Sequence, residues 1–170
     1  YTGKTPGFIP GVFEFKSVAR RDSASASYPR FKSYQSNLAI QGFGNETITY
    51  SGGFALTGRK ISSASVSGDP STIDVTVDGE KKFTAKSPVF EFADSSVVSK
   101  GAKIRIYQRN DSIVHPSVRL RYDFNNARLR IQRTEGAMRN TPYSSPFFNI
   151  DFSTDIIKWD LKSDSLDLFT

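Results

Sequence analysis

The sequence predicts an all-β protein built from antiparallel hairpins, and three observations support this prediction. Aromatic and β-branched side chains supply much of the apolar content, with 14 phenylalanines and 7 tyrosines but a single methionine, and such side chains favour strands. No segment keeps a 3.6-residue apolar period over three turns. Apolar and polar residues alternate instead, most clearly over residues 118–133. The hairpins are expected to stack as a sandwich, a jellyroll or a β-solenoid-like module.

The first half of the chain is expected to hold short strands separated by Gly, Pro and Ser. Residues 1–11 carry five glycines and prolines and are expected to form an irregular lead-in. Residues 20–29 are expected to be a polar loop or a weak edge strand. The strands predicted in this half are 12–18, 28–40, 46–50 and 54–59, and residues 61–67 are small and rich in serine.

The next hairpin is predicted around Asp78-Gly79, where two signals conflict. A two-residue turn at this dipeptide would place Val75 opposite Lys82 and mix the apolar and polar faces. A three-residue loop over 78–80 instead pairs Val75 with Phe83 and Ile73 with Ala85. We expect the register that keeps both faces intact, and with it the longer loop.

In the second half, Ser99-Lys100-Gly101 is expected to turn into a strand over 102–108. The next strand, residues 113–114, is expected to be short. Pro116 is expected to restrict it to a sheet edge or a strand end, because proline cannot donate a hydrogen bond to the ladder. Residues 135–146 form the longest predicted loop. The last strands are expected at 148–152, 157–161 and 166–168.

Residues 118–133 form the best defined hairpin. If Asn125 and Asn126 make a two-residue turn, Phe124 faces Ala127 and apolar residues face each other along both arms. The facing apolar pairs are Tyr122 with Leu129 and Leu120 with Ile131. The same register sets Asp123 opposite Arg128, Arg121 opposite Arg130, and Arg119 beside Gln132. One face of this hairpin is therefore apolar and the other is basic.

Length and composition fit a single β-rich domain over residues 1–170. We expect it to be part of a larger chain, because it begins without an initiator methionine and ends within an apolar alternation. Val12-Phe13-Glu14-Phe15 recurs at 89–92, which leaves a duplicated architecture open. The chain lacks cysteine, which excludes disulfides and thiolate metal sites, and its net charge of +6 favours anionic partners. No apolar run approaches the ~20 residues of a membrane span.

Catalytic chemistry has few candidates. His115, the only histidine, precedes Pro116 without a nucleophile elbow and is interpreted as a structural residue. Glu14 and Glu91, each between two phenylalanines, are the one matched carboxylate pair for glycoside hydrolysis, unless both simply point to solvent. Clusters of His and Cys are absent from the sequence. We therefore predict no catalytic residue, no metal site, no cofactor and no enzymatic activity.

The basic face of the 118–133 hairpin is the candidate binding site, formed by Arg119, Arg121, Arg128 and Arg130. Like charges that face each other across strands are destabilising. Either Asp123, Glu135 or solvent screens the face, or guanidinium groups bind an anionic glycan, lipid or protein surface. Nucleic acid is disfavoured, because Tyr122 faces inward and leaves no stacking platform.

From Phe83 to Ile131 the succession of short strands, with Phe-Thr-Ala-Lys at 83–86 and Ser-Lys-Gly-Ala-Lys-Ile-Arg-Ile at 99–106, resembles the repeated strands of OstA-like proteins of the Gram-negative envelope. This resemblance implies a stacked β-jellyroll and a lipid-bridging or envelope-scaffold role, and it assigns no functional residue.

The expected function is a non-enzymatic structural or binding module of a secreted, periplasmic or cell-envelope protein. Its expected partners are other domains of the same protein, envelope proteins, or an anionic glycan or lipid. The alternative is a carbohydrate-active β-sandwich, either a binding module or a glycoside hydrolase that uses Glu14 and Glu91.

Overall fold

The computed structural model describes residues 7–17, 26–41, 45–109, 111–136 and 138–170. Within these ranges the regular structure is entirely β. The strands are β1 (Gly11–Glu14), β2 (Arg30–Ser33), β3 (Leu38–Ala39), β4 (Ile48–Gly52), β5 (Ala55–Thr57), β6 (Lys60–Ser62), β7 (Ser71–Val77), β8 (Glu80–Ser87), β9 (Glu91–Phe92), β10 (Ser96–Gln108), β11 (Asp111–Asp123), β12 (Arg128–Arg133), β13 (Tyr143–Ser145), β14 (Ile150–Phe152), β15 (Ile156–Asp160) and β16 (Asp167–Phe169). The prediction of an all-β fold is confirmed.

All named strands pair antiparallel in one branched hydrogen-bond network. Its main path runs β1-β2-β5-β6-β9-β10-β11-β12-β15-β16. One side branch, β3-β4-β7-β8, joins at β10, and a second, β13-β14, joins at β11. The branch arises because β10 pairs with β9 through Val97 and Val98 but with β8 through residues 103–106.

The branches fold over the main path and enclose one apolar core. The ring of Phe83 on β8 meets Tyr122 on β11 edge to face at 5.3 Å, and Tyr50 on β4 meets Phe92 on β9 at 5.5 Å. Edge-to-face pairs of this kind add to the stabilisation from burial. The result is sandwich-like packing of two layers, which is one of the arrangements predicted.

The long hairpin β10–β11 passes from one layer to the other at two neighbouring bulges. Its register shifts once between Ser99 and Ala102 and again between Ala102 and Ile104. The predicted turn at 99–101 is therefore wrong, because these residues lie within β10. The predicted strand end at Pro116 is also wrong, because the second shift lies beside this proline and a bulge leaves a position that needs no backbone donor.

The hairpin β7–β8 resolves the conflict at Asp78-Gly79. Both residues have positive φ, 53° and 79°, as a two-residue type I′ turn requires. Val75 nevertheless pairs with Phe83, because the register shifts by one residue and leaves Lys82 as the extra residue of a bulge. The predicted faces are confirmed, and the predicted three-residue loop is wrong.

The hairpin at 118–133 has the predicted register at every pair from Val118↔Arg133 to Asp123↔Arg128. The turn differs from the prediction. Positive φ occurs at Ala127, at 52°, and not at Asn125 or Asn126, so the loop spans the four residues 124–127. The Asp123 carboxylate accepts the backbone N–H groups of both asparagines at 3.1 Å, which stabilises this longer loop without a change of register.

Three further expectations are settled in part. The predicted loop 135–146 contains β13, where the buried Tyr143 ring packs on His115 with 4.6 Å between ring centroids. Residues 7–10 of the predicted lead-in have no regular structure, whereas 1–6 and 18–25 lie outside the described residues. The recurrent Val-Phe-Glu-Phe segments occupy different environments, because Phe13 is 64% exposed and its counterpart Phe90 is fully buried.

Candidate functional site

The four predicted arginines lie on β11 and β12, on the face that points away from the core. Arg121 pairs directly with Arg130, while Arg119 pairs with Gln132 and Arg128 with Asp123. All four side chains are exposed, and the apolar residues between them, such as Leu120 and Ile131, are buried. The alternation in the sequence therefore places the arginines together on the solvent face.

Two of the four arginines have acidic partners. Arg119 lies 3.7 Å from the Glu135 carboxylate, and the Arg128 Nε lies 3.8 Å from Asp160. Exposed pairs of this kind contribute about 0 to 1 kcal/mol, but they neutralise the charge locally. Of the four predicted arginines, Arg119 and Arg128 thus form ion pairs with carboxylates. Arg121 and Arg130 form none among the described residues.

Sequence reasoning missed one more cation beside Arg121 and Arg130, namely Lys158. The strand β15 pairs with β12, and this pairing places Lys158 directly opposite Arg130. Arg121, Arg130 and Lys158 therefore form a line across three neighbouring strands, which we call the basic row. Among the ion pairs of the described residues none includes a member of this row. The Lys158 ammonium instead lies over the Phe169 ring, 4.5 Å from its centroid.

The nearest carboxylates are occupied by other donors. Asp123 accepts hydrogen bonds from the Asn126 amide at 2.8 Å and from two backbone N–H groups. The Asn126 amide, these backbone groups and the nearby Arg121 hold the pKa of Asp123 below its usual range. Asp160 accepts the Lys162 N–H at 3.2 Å and pairs with Arg128. The basic row borders a depression of about 540 Å³ that these carboxylates also line.

Glu14 and Glu91 are not brought together. Glu14 lies on β1 and Glu91 on β9, with β2, β5 and β6 between them. Four strand-to-strand steps of about 4.8 Å correspond to roughly 19 Å along the sheet. A glycoside hydrolase needs its two carboxyl groups within about 10 Å, so these two residues do not form such a pair.

His115 is a buried residue of β11 and joins this strand to the segment before β13 by a hydrogen bond. Its Nδ1 accepts the Ser117 N–H at 3.1 Å, and its Nε2 lies 3.0 Å from the Thr141 carbonyl oxygen. Since a carbonyl can only accept, Nε2 carries the proton and the ring is neutral. Burial lowers the pKa of His115, and the nearby Arg133 lowers it further.

We expect acid to destabilise the protein through His115. The unfolded chain takes up a proton near pH 6.5, whereas folded His115 resists it because Nδ1 faces an N–H donor. The free energy of unfolding should therefore decrease as the pH falls below about 6.5, by at most about 1.4 kcal/mol per pH unit, and level off below the folded pKa. Urea unfolding between pH 5 and 8 measures this slope. The variant His115→Gln should show little slope, and an equal slope in this variant would contradict the assignment.

The described residues contain no group of three His, Cys, Asp or Glu side chains that could hold a metal ion. They also contain no helix that is long and apolar enough to cross a membrane.

Comparison of the chain with protein families, curated proteins and solved structures found no match. The resemblance to OstA-like proteins therefore stays a prediction.

Proposed function

We propose that this chain is a non-enzymatic binding module whose basic row takes an anionic ligand. The observation that carries the proposal is the direct pairing of Arg121 with Arg130 while the carboxylates around them bind other donors. Opposed like charges cost a few tenths of a kcal/mol or more in a sheet. An anion placed between the two guanidinium groups would remove this cost.

The chemistry of the row suits oxyanions. Each guanidinium presents a planar set of donors that matches a carboxylate, sulfate or phosphate, and Lys158 adds a third positive charge. The row lies in a shallow depression on a solvent-facing sheet surface, which is accessible to a large ligand such as a glycan or a membrane surface. The secreted or envelope location predicted from the sequence belongs to the same proposal.

The proposal is tested by screening the chain against carboxylated and sulfated glycans and against vesicles with anionic or neutral headgroups. We expect at least one anionic ligand to bind, with affinity that decreases as salt is added. The double variant Arg121→Ser/Arg130→Ser should bind this ligand at least tenfold more weakly, which is about 1.4 kcal/mol or more. Absence of binding by the parent chain would refute the proposal.

The matched control is Lys86→Ser/Lys103→Ser. These two lysines are also directly opposed, on β8 and β10, so the control removes the same charge from a similar pair elsewhere. It should retain most of the binding. An equal loss in both double variants would show that net charge, and not the basic row, determines binding, and would overturn the proposal.

A further inference from the structure

The basic row runs across the strands and not along them. Arg121, Arg130 and Lys158 each belong to a different strand and are joined by direct register pairs. Neighbouring strands lie about 4.8 Å apart, so the three side chains originate over about 10 Å. A ligand that contacts all three must extend perpendicular to the strands.

An acidic residue follows the row in each direction, on the next strand at the Lys158 end and one strand further at the Arg121 end. Beyond Lys158 the register partner on β16 is Asp167. In the other direction Arg121 pairs with Val98 on β10, and Val98 pairs with Glu91 on β9. A polyanion that continued past either end would meet a carboxylate, so the row offers places for three anionic groups.

The neighbouring positions along each strand also fix the ligand direction. Two residues from Arg121 and on the same face lies Asp123, and two residues from Lys158 lies Asp160. A polyanion that followed β11 toward Asp123, or β15 toward Asp160, would therefore meet a negative charge at its next group. The next cations along β11 and β12 are Arg119 and Arg128, and each of these is already paired with a carboxylate. The crosswise direction presents consecutive cations that have no ion pair among the described residues.

We infer that the basic row binds a linear glycan with one carboxylate on each sugar, laid across β11, β12 and β15 over three sugar units. This inference rests on the proposed function and specifies its ligand. A sugar unit is about as long as the distance between neighbouring strands, and the long side chains of the row can follow carboxylates that turn about the glycan axis from one sugar to the next. An extended acidic peptide fits less well, because neither its residue spacing of about 3.3 Å nor its same-side spacing of about 6.6 Å matches the distance between strands.

Two other anion sources differ from this arrangement. Single-stranded nucleic acid needs exposed aromatic rings for its bases, whereas Trp159 at the depression is 3% exposed and the exposed Phe169 ring beside the row already lies under the Lys158 ammonium. A lipid headgroup presents its charge at one point and would use only part of the row. Both remain as outcomes that the experiment distinguishes.

The test is calorimetric titration of the whole chain with galacturonate oligomers of one to five sugars. Affinity should rise at least tenfold from one sugar to three and then change by no more than about threefold, as expected from the extra binding frames on a longer chain. Lys158→Ser should move the end of the rise from three sugars to two. Because Lys158 is exposed, this variant should remain folded, which circular dichroism would confirm.

The outcomes separate this inference from the function on which it rests. Equal affinity for one and three sugars, or a steep rise that continues to five, would overturn the length and direction inferred. Binding of a different anion in the screen, lost in Arg121→Ser/Arg130→Ser and without any response to galacturonates, would overturn the glycan ligand and leave the proposed function standing. Galacturonate binding that this double variant retains would overturn both.

Discussion

Replacing Gly52 with alanine is expected to destabilise the fold by about 3 kcal/mol or more. Gly52 ends β4 in the core, and a Cβ atom at this position would overlap the Ser71 side chain and lie 2.5 Å from the Tyr50 hydroxyl. Overpacking of this kind costs about 1 to 3 kcal/mol. Chemical denaturation of the variant and the parent measures the difference.

The cost is raised by the buried hydrogen bonds at this point. The Ser71 hydroxyl donates to the Ser63 carbonyl at 3.1 Å and accepts the Gly53 N–H at 3.3 Å, while the Tyr50 hydroxyl donates to the Gly53 carbonyl. Any movement that accommodates the new methyl group disturbs this network. A buried polar group left without its partner costs about 1 to 3 kcal/mol.

Gly101→Ala is the control for this substitution. The φ angle of Gly101 lies outside the left-handed region, and a Cβ there would meet only the Ser117 hydroxyl at 3.5 Å. This variant should be neutral or up to about 1 kcal/mol more stable, since alanine restricts the unfolded chain. Equal stability of the two variants would contradict the close packing described at Gly52.

The local hairpins were predictable because burial of a whole face determines register. At 118–133 every second residue of each arm is apolar, so a single register buries all of these residues on one face. A four-residue loop preserves that register as well as a two-residue turn does. At Asp78-Gly79 both observations were correct. The dipeptide forms a two-residue turn, and the apolar residues of the two strands face each other. The bulge at Lys82 reconciles them, and nothing in the identity of this residue indicates an extra position in the ladder.

The candidate site was predictable only to the extent that it is local. Arg121 and Arg130 belong to one hairpin, so their pairing follows from its register. Lys158 alternates with Ile157 and Trp159, which indicates that it faces solvent, but the sequence does not say that β15 pairs with β12. Asp160, the partner of Arg128, depends on the same long-range arrangement, whereas Glu135, the partner of Arg119, lies two residues beyond the hairpin itself.

The branching of the sheet was missed for a related reason. Gly101 and Pro116 are residues that usually end strands, and the sequence therefore predicted breaks at both. In the fold they lie at the bulges where the β10–β11 hairpin passes between layers. Glycine and proline occur both at bulges and at strand ends, and only the pairing of distant strands distinguishes the two cases.

Alkaline pH is expected to destabilise the protein by up to about 5 kcal/mol by pH 12. Burial raises the pKa of Tyr50 and of Tyr143 to about 12, whereas an unfolded tyrosine titrates near 10. Between these values the native state retains protons that the unfolded state has released, so the free energy of unfolding falls as pH rises. Each tyrosine contributes about 1.4 kcal/mol per pH unit. Denaturation at successive pH values, followed with tyrosinate absorbance, measures this loss.

Two phenylalanine variants separate the contributions of these tyrosines. The Tyr143 hydroxyl is buried without a hydrogen-bond partner among the described residues, so Tyr143→Phe should cost nothing at pH 7 and should reduce the alkaline slope. Tyr50→Phe removes a donor from the Gly53 carbonyl and should cost about 1 to 3 kcal/mol at pH 7. Equal losses at pH 7 would contradict the difference in hydrogen bonding. Constant stability of the parent from pH 10 to 12 would contradict the raised pKa values, because a buried hydroxyl that ionised as easily as an exposed one would give no linkage between folding and pH.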